Sequence, residues 1–175
     1  NPGDITAPQL AAADFLMTVA PVTDAMIFRA PRLRMIQKWG SGYDKIDLDA
    51  AERHGVLVAI TAGVNSGVIA EHTVLLILAT LRRLPVADRA MKEGCWISGT
   101  LRPDLRKLEG KTVGILGFGN IGRDVARMLQ GFNARVLYNR RGGPVEDASG
   151  AAFADFDRLI AESDILSIHC PGGAA

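Results

Sequence analysis

Cysteine is scarce in this chain, and the two present, Cys95 and Cys170, lie far apart. They offer neither metal-ligand spacing nor a disulfide framework, which excludes a small stapled domain and fits a reducing cytoplasm. No metal site is expected. Long apolar runs are missing too. The best candidate, residues 68–81, is broken by Glu71 and His72 and is too short to span a bilayer, so no membrane partner is expected. Charge of one sign is also lacking. Lys and Arg number 20 against 19 Asp and Glu, scattered except for the pairs Arg82-Arg83 and Arg140-Arg141. A net charge of +1 gives no case for a nucleic-acid partner. Internal repeats and low-complexity tracts are absent as well. The chain starts at Asn1 instead of Met, without a basic-then-apolar signal segment, and a processed or truncated start is expected.

What is present is the material for a core. Apolar residues make up 48% of 175, enough for one large domain or two small ones. Strands are predicted at residues 15–19, 34–38 and 56–60. Thr23 caps a short helix that ends at Pro31. A second helix runs from an Asp47 N-cap through Arg53, with Gly55 just past its end. Strands alternating with short helices argue for a parallel sheet. A longer helix over residues 68–82, capped by Asn65 or Ser66 and ended by Pro85, is apolar almost all round and is expected to be buried between domains. A more amphipathic segment, residues 86–93, leads to Gly94-Cys95-Trp96, and residues 101–109 form a polar connector. Near the end come a break at Gly142-Gly143-Pro144, a short strand at Ala152–Phe153, a helix over residues 156–161 and a strand over residues 165–169.

Between these parts an apolar run, residues 112–116, meets Gly117-Phe118-Gly119-Asn120-Ile121-Gly122. A helical pattern follows with Val125, Ala126, Met128 and Leu129 on one side, then a second apolar run, residues 134–138. Strand, glycine turn, helix and strand form the context in which G-x-G-x-x-G reads as a dinucleotide site. Gly117 permits the tight turn, Gly119 lets a pyrophosphate approach the backbone, and Gly122 lets helix and strand pack closely. Asn120 and Ile121 open the helix, whose first N–H groups and positive dipole end suit phosphate.

The end of the second strand selects the dinucleotide. NAD-binding proteins carry an acid there, ~20 residues past the glycines, that accepts hydrogen bonds from the ribose hydroxyls. Here the residues are Asn139, Arg140 and Arg141. A carboxylate would repel a 2′-phosphate, whereas a neutral Asn beside two guanidiniums would attract one and grip it with charge-assisted bonds. NADP(H) is therefore the expected cofactor and NAD(H) the alternative. Arginines solvated on a surface loop are the bland reading of the same pair.

With these residues in hand, the chain resembles the D-isomer-specific 2-hydroxyacid dehydrogenases over nearly all its length. The matching features are Gly40-Ser41-Gly42-Tyr43-Asp44-Lys45-Ile46-Asp47, Ala50-Ala51, Gly55, Asn65-Ser66, Ala70-Glu71-His72, Arg82-Arg83, Gly94-Cys95-Trp96 and the glycine motif. Glu162-Ser163-Asp164-Ile165-Leu166-Ser167-Ile168-His169-Cys170-Pro171 closes the series. The resemblance implies an α/β protein of two domains, with its active site in the cleft. Residues 1–62 would be part of a smaller flavodoxin-like substrate domain. Residues 63–175 would be the first half of a Rossmann-type parallel-sheet nucleotide domain, with an interdomain helix and a dimer arm. It further implies that backbone N–H groups at Ser41 and Gly42 help hold the substrate carboxylate, a tight turn being the alternative for Gly40-Ser41-Gly42. His169, Cys170 and Pro171 would lie beside the adenosine half of the cofactor, and a homodimer would form through the apolar helix and the arm ending at Trp96.

The implied reaction is hydride transfer between NADP(H) and a small 2-oxo acid such as glyoxylate or hydroxypyruvate. Phosphoglycerate dehydrogenase is the alternative within the class, and a non-catalytic NAD(P)-binding or dimerisation module the alternative outside it. Family chemistry uses an Arg for the carboxylate, a His as proton donor and a Glu that holds it, all beyond the His-Cys-Pro strand. None is assignable to a residue of this sequence, and Pro171 is followed by Gly172-Gly173-Ala174-Ala175 where the family usually has Leu-Thr and a helix. His169 imitates a catalytic base and His72 beside Glu71 a His–carboxylate pair, but both are read as structural. His54 precedes Gly55 at a helix C-terminus, where a charged imidazole is favoured. Asp44 is read as a local loop cap and Trp96 as a packing anchor. A polypeptide ending at Ala175 is expected to oxidise NADPH with glyoxylate, hydroxypyruvate or pyruvate no faster than background, since a positioned acid alone contributes ~10²–10⁴-fold. Turnover near one per second from protein of verified mass would contradict this.

Overall fold

The computed structural model describes residues 5–170. The chain forms two compact units, Asn1–Asn65 and Ser66–Ala175.

In the first unit, β1 (Phe15–Thr18), β2 (Met35–Lys38) and β3 (Leu57–Ile60) form a parallel sheet in the order β1-β2-β3. Helices α1 (Ala7–Ala12), α2 (Asp24–Phe28) and α3 (Leu48–Arg53) complete it. Alternation along β1 and β2 sends Leu16 and Ile36 into a core with Val22, Ile27, Ala50 and Ala51. Phe15, Met17 and Leu57 are exposed. Asp47 caps α3 as expected, its Oδ1 accepting from the Ala50 N–H at 2.9 Å. Thr23 occupies the N-cap of α2 without a side-chain bond. Helix α1 went unread in the sequence, although Thr6 and Gln9 form a capping box around Pro8.

In the second unit, β4 (Thr112–Leu116), β5 (Arg135–Asn139), β6 (Ala152–Phe153) and β7 (Ile165–Ile168) form a parallel sheet in the order β6-β5-β4-β7. One face packs on α4 (Ser66–Leu81) and α7 (Asn120–Leu129) through Ala70, Val74, Ile77, Val113, Ile115, Val125, Leu129 and Tyr138. On the other, Leu137 packs with Leu159 of α8 (Phe156–Glu162). Coverage of both faces explains why β4 and β5 read as continuous apolar runs. Asp164 ties the start of β4 to that of β7. It accepts from Lys111 Nζ at 2.7 Å and from the Thr112 N–H at 2.8 Å, and these bonds, the lysine's first, hold its carboxyl below the usual range.

Two expectations about the helices need correction. Only Ala70, Val74 and Ile77 of α4 are buried, while Val68, Leu75 and Leu76 are exposed. A helix presents one stripe to a sheet, here the stripe that meets β4 and β5. Pro85 does not end α4. That helix stops at Leu81, the chain turns at Arg83 (φ +52°), and Pro85 lies in the first turn of α5 (Leu84–Lys92), where a missing N–H costs nothing. The segment read as a polar connector begins in α6 (Ser98–Leu101), continues as a 3-10 turn at Arg102–Asp104 and buries Leu108. Trp96 is 79% exposed and so does not anchor this unit's packing. Among the described residues no helix is long and apolar enough to cross a membrane, and no His, Cys, Asp and Glu cluster could hold a metal.

Leu129 is fully buried between α7 and the sheet. Leu129→Ala is expected to cost ~2–5 kcal/mol, read as a lower denaturant midpoint for this unit. A loss below ~1 kcal/mol would contradict the packing described.

Candidate dinucleotide-binding site

The candidate site is built where β4, β5 and β7 end. After Leu116 the chain enters Gly117 with φ +94°, a conformation L side chains rarely adopt. The Gly117 N–H donates to the Asn139 carbonyl at 3.0 Å, and the His169 N–H donates to the Leu116 carbonyl at 2.7 Å. A Cβ at Gly117 would lie 2.5 Å from Cys170 N and 2.6 Å from the His169 carbonyl carbon. At Gly122 a Cβ would lie 2.5 Å from the Gly117 carbonyl oxygen and 3.1 Å from Ile115 Cγ2. Two glycines of the motif are therefore required by the fold alone. Gly119 is different: it is exposed, and a Cβ there would meet nothing within 4 Å. It is the N-cap of α7 and supplies no side-chain cap, so the first N–H groups of the helix have no capping side chain. Asn120 is exposed beside it, and Ile121 packs against the core. That geometry fits a pyrophosphate: an uncapped, positively polarised helix end next to backbone a ligand can reach.

Phe118, given no role in the sequence reading, is buried and stacks on Tyr138 of β5, with ring centroids 3.9 Å apart at 22°. The Arg123 guanidinium lies over its ring at 5.4 Å. An aromatic residue between the first two glycines and another, Tyr138, immediately before the strand-end Asn139 were the available signal. At the end of β5, Asn139 Nδ2 donates to the Ala154 carbonyl at 2.8 Å, so this amide also joins β5 to the segment after β6. Arg140 and Arg141 follow on the surface.

His169 is half-buried, and burial lowers its pKa below the usual value of 6.5, favouring the neutral ring. Its Nε2 lies 2.9 Å from Ser167 Oγ. The ring borders a groove of about 450 Å³ between α4 and β7, lined also by Thr73, Leu76 and Ile165. Cys170 is exposed, and its backbone faces Gly117; Pro171 lies outside the described residues. Glu71 and His72 are both exposed on α4, so they are not core groups. Another bond missed in the sequence joins Ser66, at the start of α4, to Asp124 of α7: Ser66 Oγ donates at 2.8 Å and, with Arg127, lowers the carboxyl's pKa.

Ser41 and Gly42 belong to the other unit, in the loop after β2. Gly40 (φ +126°) is held by Thr61: its N–H donates to Thr61 Oγ1 at 2.7 Å and its carbonyl accepts from the Thr61 N–H at 3.0 Å. Ser41 and Gly42 remain exposed.

A parallel sheet with a glycine turn and an uncapped helix at its strand ends defines a Rossmann-type dinucleotide-binding unit. The profile of the D-isomer specific 2-hydroxyacid dehydrogenase NAD binding domain matches residues 74–175, and the chain belongs to that family. It is 33% identical to the glyoxylate reductase of Thermococcus litoralis, over 97% of this chain and 54% of that protein. It is 35% identical to the D-3-phosphoglycerate dehydrogenase of Mycobacterium tuberculosis, over 90% of this chain and 32% of that one. The NAD complex of a Staphylococcus aureus formate dehydrogenase superposes with a TM-score of 0.83 at 31% identity, covering 97% of this chain and 52% of the other. The chain thus spans about half the length, or less, of the relatives it matches.

The glycines should separate binding from folding. Gly119→Ala is expected to leave stability within ~0.5 kcal/mol while weakening dinucleotide binding, because its Cβ projects into open space near the uncapped helix end. Gly122→Ala should lower both. Thermal unfolding and cofactor titration of the two variants test this, and equal destabilisation would overturn the distinction.

Proposed function

We propose that this protein transfers hydride between NADP(H) and a short 2-oxo acid such as glyoxylate or hydroxypyruvate. The observation that carries the cofactor choice is Asn139-Arg140-Arg141 at the carboxyl end of β5, where an NAD-binding site would offer an acid to the ribose. Kinship with glyoxylate reductases supports the substrate class. The bound cofactor would supply the hydride. The backbone at Gly117, Gly119, Asn120, Ile121 and Gly122 would hold its pyrophosphate, and Asn139, Arg140 and Arg141 its 2′-phosphate end. His169, Cys170 and Pro171 would flank the adenosine. Residues 1–62 would serve as the substrate-domain part and residues 63–175 as the nucleotide-domain part. In the former, N–H groups at Ser41 and Gly42 would hold the substrate carboxylate as charge-assisted donors.

A homodimer in the cytoplasm completes the proposal. Exposed Val68, Leu75 and Leu76 on α4 support the dimer, as does a hollow of about 310 Å³ lined by Met91, Trp96, Ile97 and Leu101. Two cysteines, both free, fit a reducing compartment. The second reading is phosphoglycerate dehydrogenase, favoured by the mycobacterial relative. The neutral Asn139 with its arginines favours the first.

NADPH is expected to bind ~10- to 100-fold tighter than NADH, the worth of a charge-assisted contact of about 1.5–3 kcal/mol. Fluorescence titration with both cofactors measures the ratio. Equal affinities, or no loss when Arg140 and Arg141 are both replaced by Ala, would remove the basis for the NADP(H) assignment.

A further inference from the structure

The turn that follows β5 is more closely organised than attraction of a phosphate by two arginines would require. The Gly143 N–H donates to the Arg140 carbonyl at 3.2 Å, closing a turn in which Gly143 has φ +72°. Just past it, the Val145 N–H donates to the Tyr138 hydroxyl at 2.9 Å, so the far end is tied back to β5. Arg123 Nη1 donates to the Asp147 carbonyl at 2.7 Å, holding the next stretch to α7. Within this tethered turn the Arg140 guanidinium folds across Gly142. A Cβ built at Gly142 would lie 2.7 Å from Arg140 Nη2 and 3.3 Å from both Cζ and Nε. Gly142, unlike Gly143, is not among the positive-φ glycines, so its backbone conformation does not demand glycine. What occupies the space of its missing side chain is the guanidinium.

We propose that Gly142 is a positioning residue for cofactor selection: its bare face seats the Arg140 guanidinium in the orientation that takes the 2′-phosphate of NADP(H). The inference rests on the NADP(H) reading and deepens it by naming which arginine grips and what holds it. A guanidinium is a rigid planar fork whose value depends on its direction. A long side chain seated beforehand loses less freedom on binding than one that must be ordered by the ligand. A methyl group at position 142 would push the guanidinium off this seat while leaving its charge in place.

The test is calorimetric titration of the full chain with 2′,5′-ADP and 5′-AMP, which differ only by the 2′-phosphate and need only the adenosine side of the site. The native chain is expected to prefer 2′,5′-ADP by ~10- to 100-fold. Gly142→Ala should lower that preference by about tenfold with 5′-AMP affinity unchanged, roughly the worth of a displaced charge-assisted contact. Because Gly142 acts through Arg140, the double variant Gly142→Ala with Arg140→Ala should lose no more than Arg140→Ala alone. An unchanged preference in Gly142→Ala, an equal fall for both ligands, or additive losses in the double variant would overturn the positioning role while an effective Arg140→Ala kept the NADP(H) reading. No preference in the native chain, or no effect of Arg140→Ala, would overturn the reading and the inference together.

Discussion

Three backbone segments, the ends of β4, β5 and β7, meet at Gly117 more closely than any side chain there would allow. The same residue donates to Asn139 of β5 and lies against His169 and Cys170 beyond β7. Gly122 repeats the constraint in the first turn of α7, bringing that helix onto the Gly117 carbonyl and Ile115. Strand ends and helix start are thereby drawn to one point, and the groups that a dinucleotide would address follow from it. Of the three motif glycines, Gly119, where the backbone is open, is the one a Cβ would not crowd.

That constraint is reinforced by a buried aromatic pair. Phe118, held between two glycines, stacks on Tyr138, and the Tyr138 hydroxyl accepts a bond from the turn beyond Arg140 and Arg141. A stacked pair is worth about 0.5–1.5 kcal/mol beyond its burial. Its larger consequence is geometric. The segment suited to pyrophosphate and the segment carrying the arginines are joined through Tyr138, which stacks on Phe118 and accepts from the Val145 N–H. Asn139 adds to this, since its amide bonds the Ala154 carbonyl while its backbone receives Gly117.

Family membership follows from the matched residues: the chain carries the NAD binding domain of the D-isomer specific 2-hydroxyacid dehydrogenases and spans about half the length of its glyoxylate reductase relative. The candidate dinucleotide site lies on unit 2, at the ends of β4, β5 and β7. The loop of Ser41 and Gly42 is held within unit 1 by the reciprocal bonds between Gly40 and Thr61.

Much of this was legible in the linear chain because it depends on short-range periodicity and on residues with special backbone freedom. The strand of residues 112–116, the glycine turn, the Asp47 cap and the parallel α/β class all follow from local pattern, and the G-x-G-x-x-G context followed with them. What the sequence could not decide depended on which neighbours arrive from elsewhere. The all-apolar α4 looked buried, yet only one stripe meets the sheet. Pro85 looked like a stop and is a start, because a missing N–H suits either side of a helix boundary. Phe118 had no role until β5 brought Tyr138 against it, and Gly142 looked like a loop breaker until Arg140 lay across it. The sequence by itself determined most of the elements and the chemistry available at their ends. The tertiary structure decided which groups touch, because contacts between residues distant in the chain are set by sheet order and packing, and a linear pattern does not encode those distances.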